Sequence, residues 1–359
     1  MRAVRVRGSN FRCYQELDLG LAPGVVGVIG PNGAGKTALV EMIHFGALGY
    51  SPRTSADQQL VRFGADFLRA KLDAVTSAGE AAVAIGFRPG EPKRVTVDGV
   101  RERSIERLVS RFPVLVFTPD RLRLVQGAPA LRRAYFDRVL SRMWPALAAA
   151  PSEFARRLAQ RNHLLKRIRA GAVASDALDP WDTLVADAGA ALVAARGRLV
   201  SRLAGAVAGR LEELGGEPID PPLRYLPNTE GDAGELRRAL ADRRARDVER
   251  TATGAGPHLD DFALRDGGKD LRHFGSQGEQ RRVLLALILA ESDLLCAERD
   301  EQPLLLLDDV TSELDAARRR RLLEAIAAFE QVLVTTTDES GLGASAGSIL
   351  RVDAGRVSL

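Results

Sequence analysis

The chain has 359 residues, 45% hydrophobic and 27% charged, with a formal net charge of +4. That composition excludes a disordered, collagen-like or disulfide-built protein and fits an α/β chain of roughly two domains, or one domain with a large insertion. No apolar stretch approaches the ~20 residues of a membrane span. The N-terminus lacks the apolar run of a signal peptide, and two cysteines, Cys13 and Cys296, fit a reducing cytoplasm.

Residues 1–30 read as short strands, at 3–7, 17–21 and 25–29. The last leads into Gly30, Pro31, Asn32, Gly33, Ala34, Gly35, Lys36 and Thr37, and a helical pattern (Leu39, Ile43, Ala47) follows. This segment fills the phosphate-loop template G-x-x-x-x-G-K-[ST] in its required strand–loop–helix context. Glycines let backbone wrap a phosphate, and the N–H groups of the loop and new helix face the anion. Lys36 is expected to reach the β- and γ-phosphates of ATP, and Thr37 to hold Mg²⁺.

Further strands are expected at 68–76, 81–88, 93–98 and 114–117. From about 129 to 215 the texture is helical and rich in Ala and Arg. Leu192, Leu199, Leu203, Val207, Leu211 and Leu214 form one stripe at helical spacing, and Phe154, Leu158 and Leu165 another. These stripes read as packing within a helical lobe. Beyond a loop at 216–232 come a basic helix at 236–250, strand texture at 256–261 and a hairpin turn at Asp266-Gly-Gly-Lys269. An apolar helix (277–297), a buried strand (303–307), a basic helix (315–329), a strand (331–335) and a terminal hairpin complete the chain. The expected architecture is an α/β ATPase head with mixed β-sheets and an inserted, mostly helical lobe. The head is formed by 1–110 and 255–359, and the lobe by 111–254.

Pro303-Leu-Leu-Leu-Leu-Asp308-Asp309 is an apolar strand ending in two carboxylates, the Walker B pattern. Asp308 is expected to serve Mg²⁺, and Asp309 to polarise the attacking water as a general base. Gly275-Ser-Gln-Gly278-Glu279 opens the apolar helix. Ser276 with Glu279 forms a capping box, and such a helix N-terminus is also an anion site. The same segment matches the signature motif of ABC-type ATPases, and Thr311-Ser-Glu-Leu-Asp315 stands where that class has its D-loop.

Asn10-Phe-Arg-Cys-Tyr14, Tyr50-Ser-Pro-Arg-Thr54, Gly256-Pro-His-Leu-Asp-Asp261, Gly275-Ser-Gln-Gly278 and the stretch from Leu307 to Asp315 together resemble the RecF family. This is a bacterial ATPase family related to the structural-maintenance-of-chromosomes proteins. The resemblance runs nearly end to end and is weakest across the helical insertion. It implies an ATP-dependent homodimer in which Ser276 and Gly278 of one subunit complete the other's site in trans. It further implies binding to single- and double-stranded DNA at gaps and junctions, with RecR and RecO helping to place RecA on single-stranded DNA. Two departures from the wider ABC class, Asp309 in place of a glutamate and Thr335-Thr-Thr-Asp338 in place of a histidine, imply slow hydrolysis. The family's Pro-His-Arg is Pro257-His258-Leu259 here, so the resemblance carries no arginine phosphate contact over to position 259. Gln126 is a candidate Q-loop residue or an ordinary polar turn residue.

Of 51 basic residues, 46 are arginine. Arginine suits phosphate recognition, although a GC-rich coding sequence produces the same bias. Arg318-Arg-Arg-Arg321 is the densest basic run, and Arg243, Arg244 and Arg246 form another. Successive residues wrap round a helix, so a solvated face competes with a DNA contact. With only 5% aromatic residues, base stacking is not expected to dominate. Three rivals share parts of the pattern: a transporter ATPase subunit, disfavoured by the long insertion, an ATP-coupled nuclease, disfavoured by the lack of a further metal-ligand set, and a purely structural DNA-binding protein with a vestigial site, disfavoured by the intact Gly30–Thr37 loop.

Overall fold

The structure, a computed structural model, describes residues 1–216, 222–311, 314–342 and 346–358. The chain opens with β1 (Arg2–Phe11), β2 (Tyr14–Gly20), β3 (Gly24–Ile29) and α1 (Lys36–Leu48), then β4 (Leu68–Thr76), β5 (Gly79–Phe87), β6 (Arg94–Val97) and β7 (Val100–Glu102). Next come α2 (Ile105–Arg111), β8 (Val114–Phe117), α3 (Arg123–Gln126), α4 (Pro129–Met143), α5 (Ala150–Arg169) and α6 (Asp179–Glu213). They are followed by β9 (Leu223–Leu226), α7 (Ala233–Asp242), α8 (Arg244–Arg250), β10 (Asp261–Asp266), β11 (Lys269–Asp270), α9 (Leu271–Phe274) and α10 (Gln277–Arg299). The last elements are β12 (Leu304–Leu307), α11 (Ala316–Ile326), β13 (Gln331–Thr336), β14 (Ser348–Asp353) and β15 (Arg356–Ser358).

The strands form an antiparallel sheet in the order β2-β1-β4-β5-β6-β7, a core sheet in the order β15-β14-β3-β13-β12-β8, and a small sheet β11-β10-β9. In the core sheet β8, β12, β13, β3 and β14 run parallel. A parallel sheet covered on both faces needs near-continuous apolar strands, and Leu304–Leu307 and Val114–Phe117 are buried at every position. Period-two alternation divides them. Leu304 and Leu306 face the core shared with α1 and the antiparallel sheet, whereas Leu305 and Leu307 face the core shared with α4, α6 and α10. The carboxyl ends of β3, β12 and β13 therefore reach one edge, where ligands of open α/β sheets bind.

β8 lies inside the 111–254 segment that the sequence assigns to the helical lobe, yet it is the outer strand of the core sheet. A four-residue apolar strand carries no label of the domain it pairs with, so the lobe proper begins beyond it. The stripe residues Leu192, Leu199, Leu203, Val207, Leu211 and Leu214 are buried with Phe154 and Leu165, in a core they share with α10 and with core-sheet residues such as Leu305 and Leu307. No described helix is long and apolar enough to cross a membrane.

Two buried arginines brace the lobe. Arg161 donates to Asp182 at 2.7 Å, Asp247 at 2.9 Å and the Thr253 hydroxyl at 2.8 Å. Arg196 joins α6 to α4 through Asp137 and to the 257–260 turn through Pro257 O and Asp260 Oδ2. Buried charges with this degree of pairing resist removal of either partner, because the survivor is stranded without water.

The expected helix at 236–250 is two helices that break at Arg243. Arg244 folds back onto Asp179 and Asp182 of α6, so that guanidinium serves the lobe. The strand expected at 256–261 begins only at Asp261. Pro257, His258 and Leu259 form a tight 3-10 turn, with His258 Nε2 2.9 Å from Thr253 O. The hairpin at 266–269 is present, with Asp266 paired to Lys269.

Candidate functional site

The phosphate loop runs from the end of β3 at Ile29 to the start of α1 at Lys36. Two of its glycines are required by neighbours distant in sequence. A Cβ on Gly30 would lie 2.1 Å from Val352 O, on β14. Gly35 has φ +119° and a Cβ there would lie 2.9 Å from Cys13 Sγ. Both the positive φ and the close approach exclude a side chain. The loop is braced from two sides: Tyr14 Oη donates to Gly35 O at 3.0 Å, and Gly355 N donates to Ala34 O at 2.9 Å. Pro31, Asn32 and Gly33 remain exposed at its tip. The first turn of α1 has no side-chain cap and no acidic residue, so its N–H groups and positive dipole end suit an anion.

Lys36 is buried, and its Nζ donates to Gly30 O at 2.7 Å and Pro31 O at 3.0 Å. Burial pushes its pKa below the usual lysine value, against the pull of Asp308 and Asp309. The next residue, Thr37, donates from Oγ1 to Asp308 Oδ1 at 3.0 Å. Thr335 Oγ1 donates to the same carboxylate oxygen at 2.8 Å and accepts from Asp309 N at 2.8 Å. Burial raises the Asp308 pKa from its ordinary value, while hydrogen bonds from Thr335 and Thr37 oppose the rise. Asp309 follows in the left-handed region, with φ 50°, which turns the chain sharply out of the strand. Left-handed backbone at a non-glycine residue is strained and common at functional sites.

Thr37 and Asp308, far apart in sequence, thus meet through hard oxygens of the kind Mg²⁺ prefers, and they fit that ion. Among the described residues, Ser276 and Gly278 make no hydrogen bond to this cluster. Ser276 caps α10: Glu279 N donates to its Oγ at 3.3 Å, and Ser276 N donates to Glu279 Oε2 at 2.7 Å. Ser276, Gln277 and Gly278 are exposed, Phe274 beside them is 73% exposed, and a Cβ on Gly278 would meet nothing within 4 Å. Of the expected D-loop, Ser312 and Glu313 lie outside the described residues. Gln126 donates from Nε2 to Gln280 Oε1 at 2.6 Å, and Gln280 in turn donates to Leu271 O and Gly275 O. The candidate Q-loop residue is therefore tied to the base of the signature segment.

Three contributions were not read from the sequence, although Thr335 itself was noted there as standing where the wider class has a histidine. Thr335 holds both Walker B aspartates; parallel pairing of Leu307 with Val334 sets it beside Asp308, and that register is invisible in the sequence. Glu41 is fully buried and receives Arg12, at 2.8 and 2.9 Å, and the Ser51 hydroxyl. It anchors the family-like segments at 10–14 and 50–54 to α1; a charged residue inside an apolar helical stripe was the available signal. Arg132 clamps Leu124 O, Val125 O and Gly127 O and forks onto both oxygens of Asp261.

The family model for the RecF/RecN/SMC N terminal domain matches residues 3–355. The DNA replication and repair protein RecF of Moorella thermoacetica is 38% identical over 330 residues, which cover 92% of this chain and 88% of that protein. RecF of Streptomyces avermitilis is 37% identical over 376 residues, 99% of each chain. Among solved structures, that of the recombination mediator protein RecF with ATP in the RecFOR pathway superimposes with TM-score 0.90 at 26% identity, covering 99% of this chain and 97% of that one. An Smc head bound to the C-winged helix domain of ScpA shares the fold, with TM-score 0.59 at 14% identity over 100% of this chain and 97% of that chain. The phosphate loop, the Asp308–Asp309 exit and the exposed capped helix thus sit on an ABC-type ATPase head, and the chain belongs to the RecF family.

Proposed function

We propose that the protein is an ATP-dependent DNA-binding protein of recombinational repair and replication restart. Its ATP-bound dimer closes as a clamp on DNA at gaps and junctions and, with RecR and RecO, promotes loading of RecA on single-stranded DNA. The meeting of Thr37 with Asp308 at 3.0 Å carries the ATPase part of this reading, and similarity to RecF proteins carries the rest.

Lys36 exchanges the Gly30 and Pro31 carbonyls for the β- and γ-phosphate oxygens. Thr37 and Asp308 would hold Mg²⁺, which would supply positive charge against the phosphates. Asp309, set by its N–H bond to Thr335, orients the attacking water. Ser276 and Gly278 of a second subunit approach the γ-phosphate, so ATP favours the dimer through contacts absent from the monomer. The exposed signature segment and the open space over Gly278 suit that approach. Hydrolysis removes the shared γ-phosphate and releases the clamp. An aspartate at 309 reaches less far than a glutamate, consistent with slow turnover and ATP as a timing switch.

Fluorescence anisotropy of labelled duplex DNA tests the clamp. Binding is expected with ATP–Mg²⁺ and not with ADP–Mg²⁺. Affinity should fall about 100-fold between 50 and 200 mM salt, the drop for roughly four neutralised phosphates. Equal binding in every nucleotide state would remove the switch.

Asp308→Asn separates stability from function. The amide keeps the oxygen that accepts from Thr37 and Thr335 but removes a charge whose burial is unfavourable. Because the folded pKa is raised, the ionised form destabilises the fold at pH values above it, and that penalty is relieved as pH falls. The nucleotide-free variant should melt about 1–3 °C higher than the parent and lose the ATP–Mg²⁺-induced thermal shift. A lower melting point in differential scanning fluorimetry would contradict the charge argument.

A further inference from the structure

Between the C-terminal end of α1, α2 and α4 lies a cavity of about 740 Å³ that none of the phosphate-loop residues, Asp308 or Asp309 lines. Three guanidiniums line it without a carboxylate partner among the described residues, Arg121, Arg138 and the exposed Arg123. Arg138 lies over the Tyr50 ring at 5.4 Å, and Arg121 over the Tyr135 ring at 5.7 Å. Of the other charges lining the cavity, Arg53 pairs with Asp120 and Lys93 with Asp57, while Glu106 accepts from the Ser104 hydroxyl and offsets Arg123 in sign without a described ion pair. Glu291, which also lies near these groups, is taken up by Arg142 and the Tyr135 hydroxyl. Burial, together with the charges of Arg138 and Arg142, pushes the Arg121 pKa below its usual value. The Tyr50 hydroxyl is buried without a hydrogen-bond partner.

Like charges held together beside an unsatisfied hydroxyl make a field that an anion would relieve. Planar guanidiniums fork onto phosphate oxygens. The cavity is far larger than one phosphate needs, and Ile105, Val109 and Leu131 add apolar lining to it. Ile105 is 41% and Leu131 47% exposed, which leaves apolar surface open for a base or ribose.

We propose that this cavity is a second nucleotide-phosphate site, distinct from the phosphate loop. It takes a phosphomonoester between Arg121 and Arg138, with the Tyr50 hydroxyl donating and the nucleoside against the Ile105–Leu131 side. A free mononucleotide and the 5′-phosphorylated end of a DNA strand both carry this chemistry.

The test uses the full chain carrying Lys36→Met, so that the phosphate loop does not contribute. AMP, a 5′-phosphorylated oligonucleotide and its 5′-hydroxyl counterpart are titrated by calorimetry. AMP binding, or oligonucleotide binding at least 10-fold tighter with the phosphate than without, is expected. The former marks a free nucleotide as the source and the latter a DNA end. Arg138→Gln should weaken that binding at least 10-fold. Leu131→Glu, which places a negative charge at an exposed edge without touching either arginine, should do the same. The site is overturned if neither phosphomonoester binds, if both variants bind as well as the parent, or if AMP fails to bind and the 5′-hydroxyl strand binds as tightly as the phosphorylated one.

Discussion

Replacing Lys36 by Met is expected to lower ATP affinity by about 10²- to 10⁴-fold while leaving the fold intact. The ammonium is buried at the loop and already donates to two backbone carbonyls at 2.7 and 3.0 Å. A triphosphate offers it charged oxygens instead. Two charge-assisted bonds at roughly 1.5–3 kcal/mol each give the stated range. Met retains the apolar stem that packs at the start of α1 and removes only the cation. The glycines and bracing contacts from Tyr14 and Gly355 do not depend on it. Titration with a fluorescent ATP analogue measures the loss, and circular dichroism checks the fold. An affinity within a few-fold of the parent would show that Lys36 does not touch the phosphates.

Ser276→Arg is the second large effect. It should leave ATP binding by the monomer within about threefold and weaken ATP-driven dimerisation by at least 100-fold, the scale of a disrupted interface hot spot. Within its own chain Ser276 only caps α10, and the residue is exposed, so a longer side chain can point into solvent. Loss of the cap costs about 1 kcal/mol. In the proposed dimer the same position faces the partner's γ-phosphate, close to the charges of Lys36 and the metal site. An arginine there adds bulk and a like charge at a contact that must exclude water. Ser276→Ala supplies the control, since it removes the cap without adding volume. Sedimentation with and without ATP reads the outcome. A normal ATP-driven dimer in the arginine variant would remove the trans-site reading.

The difference between these two residues explains what could be read in advance. The phosphate loop and the Asp308–Asp309 exit are contiguous motifs, since each needs a strand, a turn and a few named side chains within about ten residues. Local chemistry is enough to identify them. The same holds for the stripes of α6 and α5, whose 3.6-residue spacing determines which face is buried. Short elements were less legible. Val114–Phe117 is equally apolar in a lobe or in the core sheet, and only pairing with β12 assigns it. The break at Arg243 and the turn at 257–259 answer to tertiary demands: Arg244 reaches Asp182, and Arg196 takes the carbonyl of Pro257.

By itself the sequence determined the kind of chemistry, a nucleotide phosphate gripped by Gly30 to Thr37 and a carboxylate pair at a strand end, because those requirements are local. The tertiary structure decided how the parts meet. The parallel register of β12 with β13 sets Thr335 against Asp308 and Asp309, and the close passage of Val352 makes Gly30 obligatory. The fold also gathers Arg121 and Arg138 at one cavity, with no ion-pair partner for either among the described residues. These arrangements depend on contacts between residues tens to hundreds of positions apart, which packing creates and no local pattern encodes.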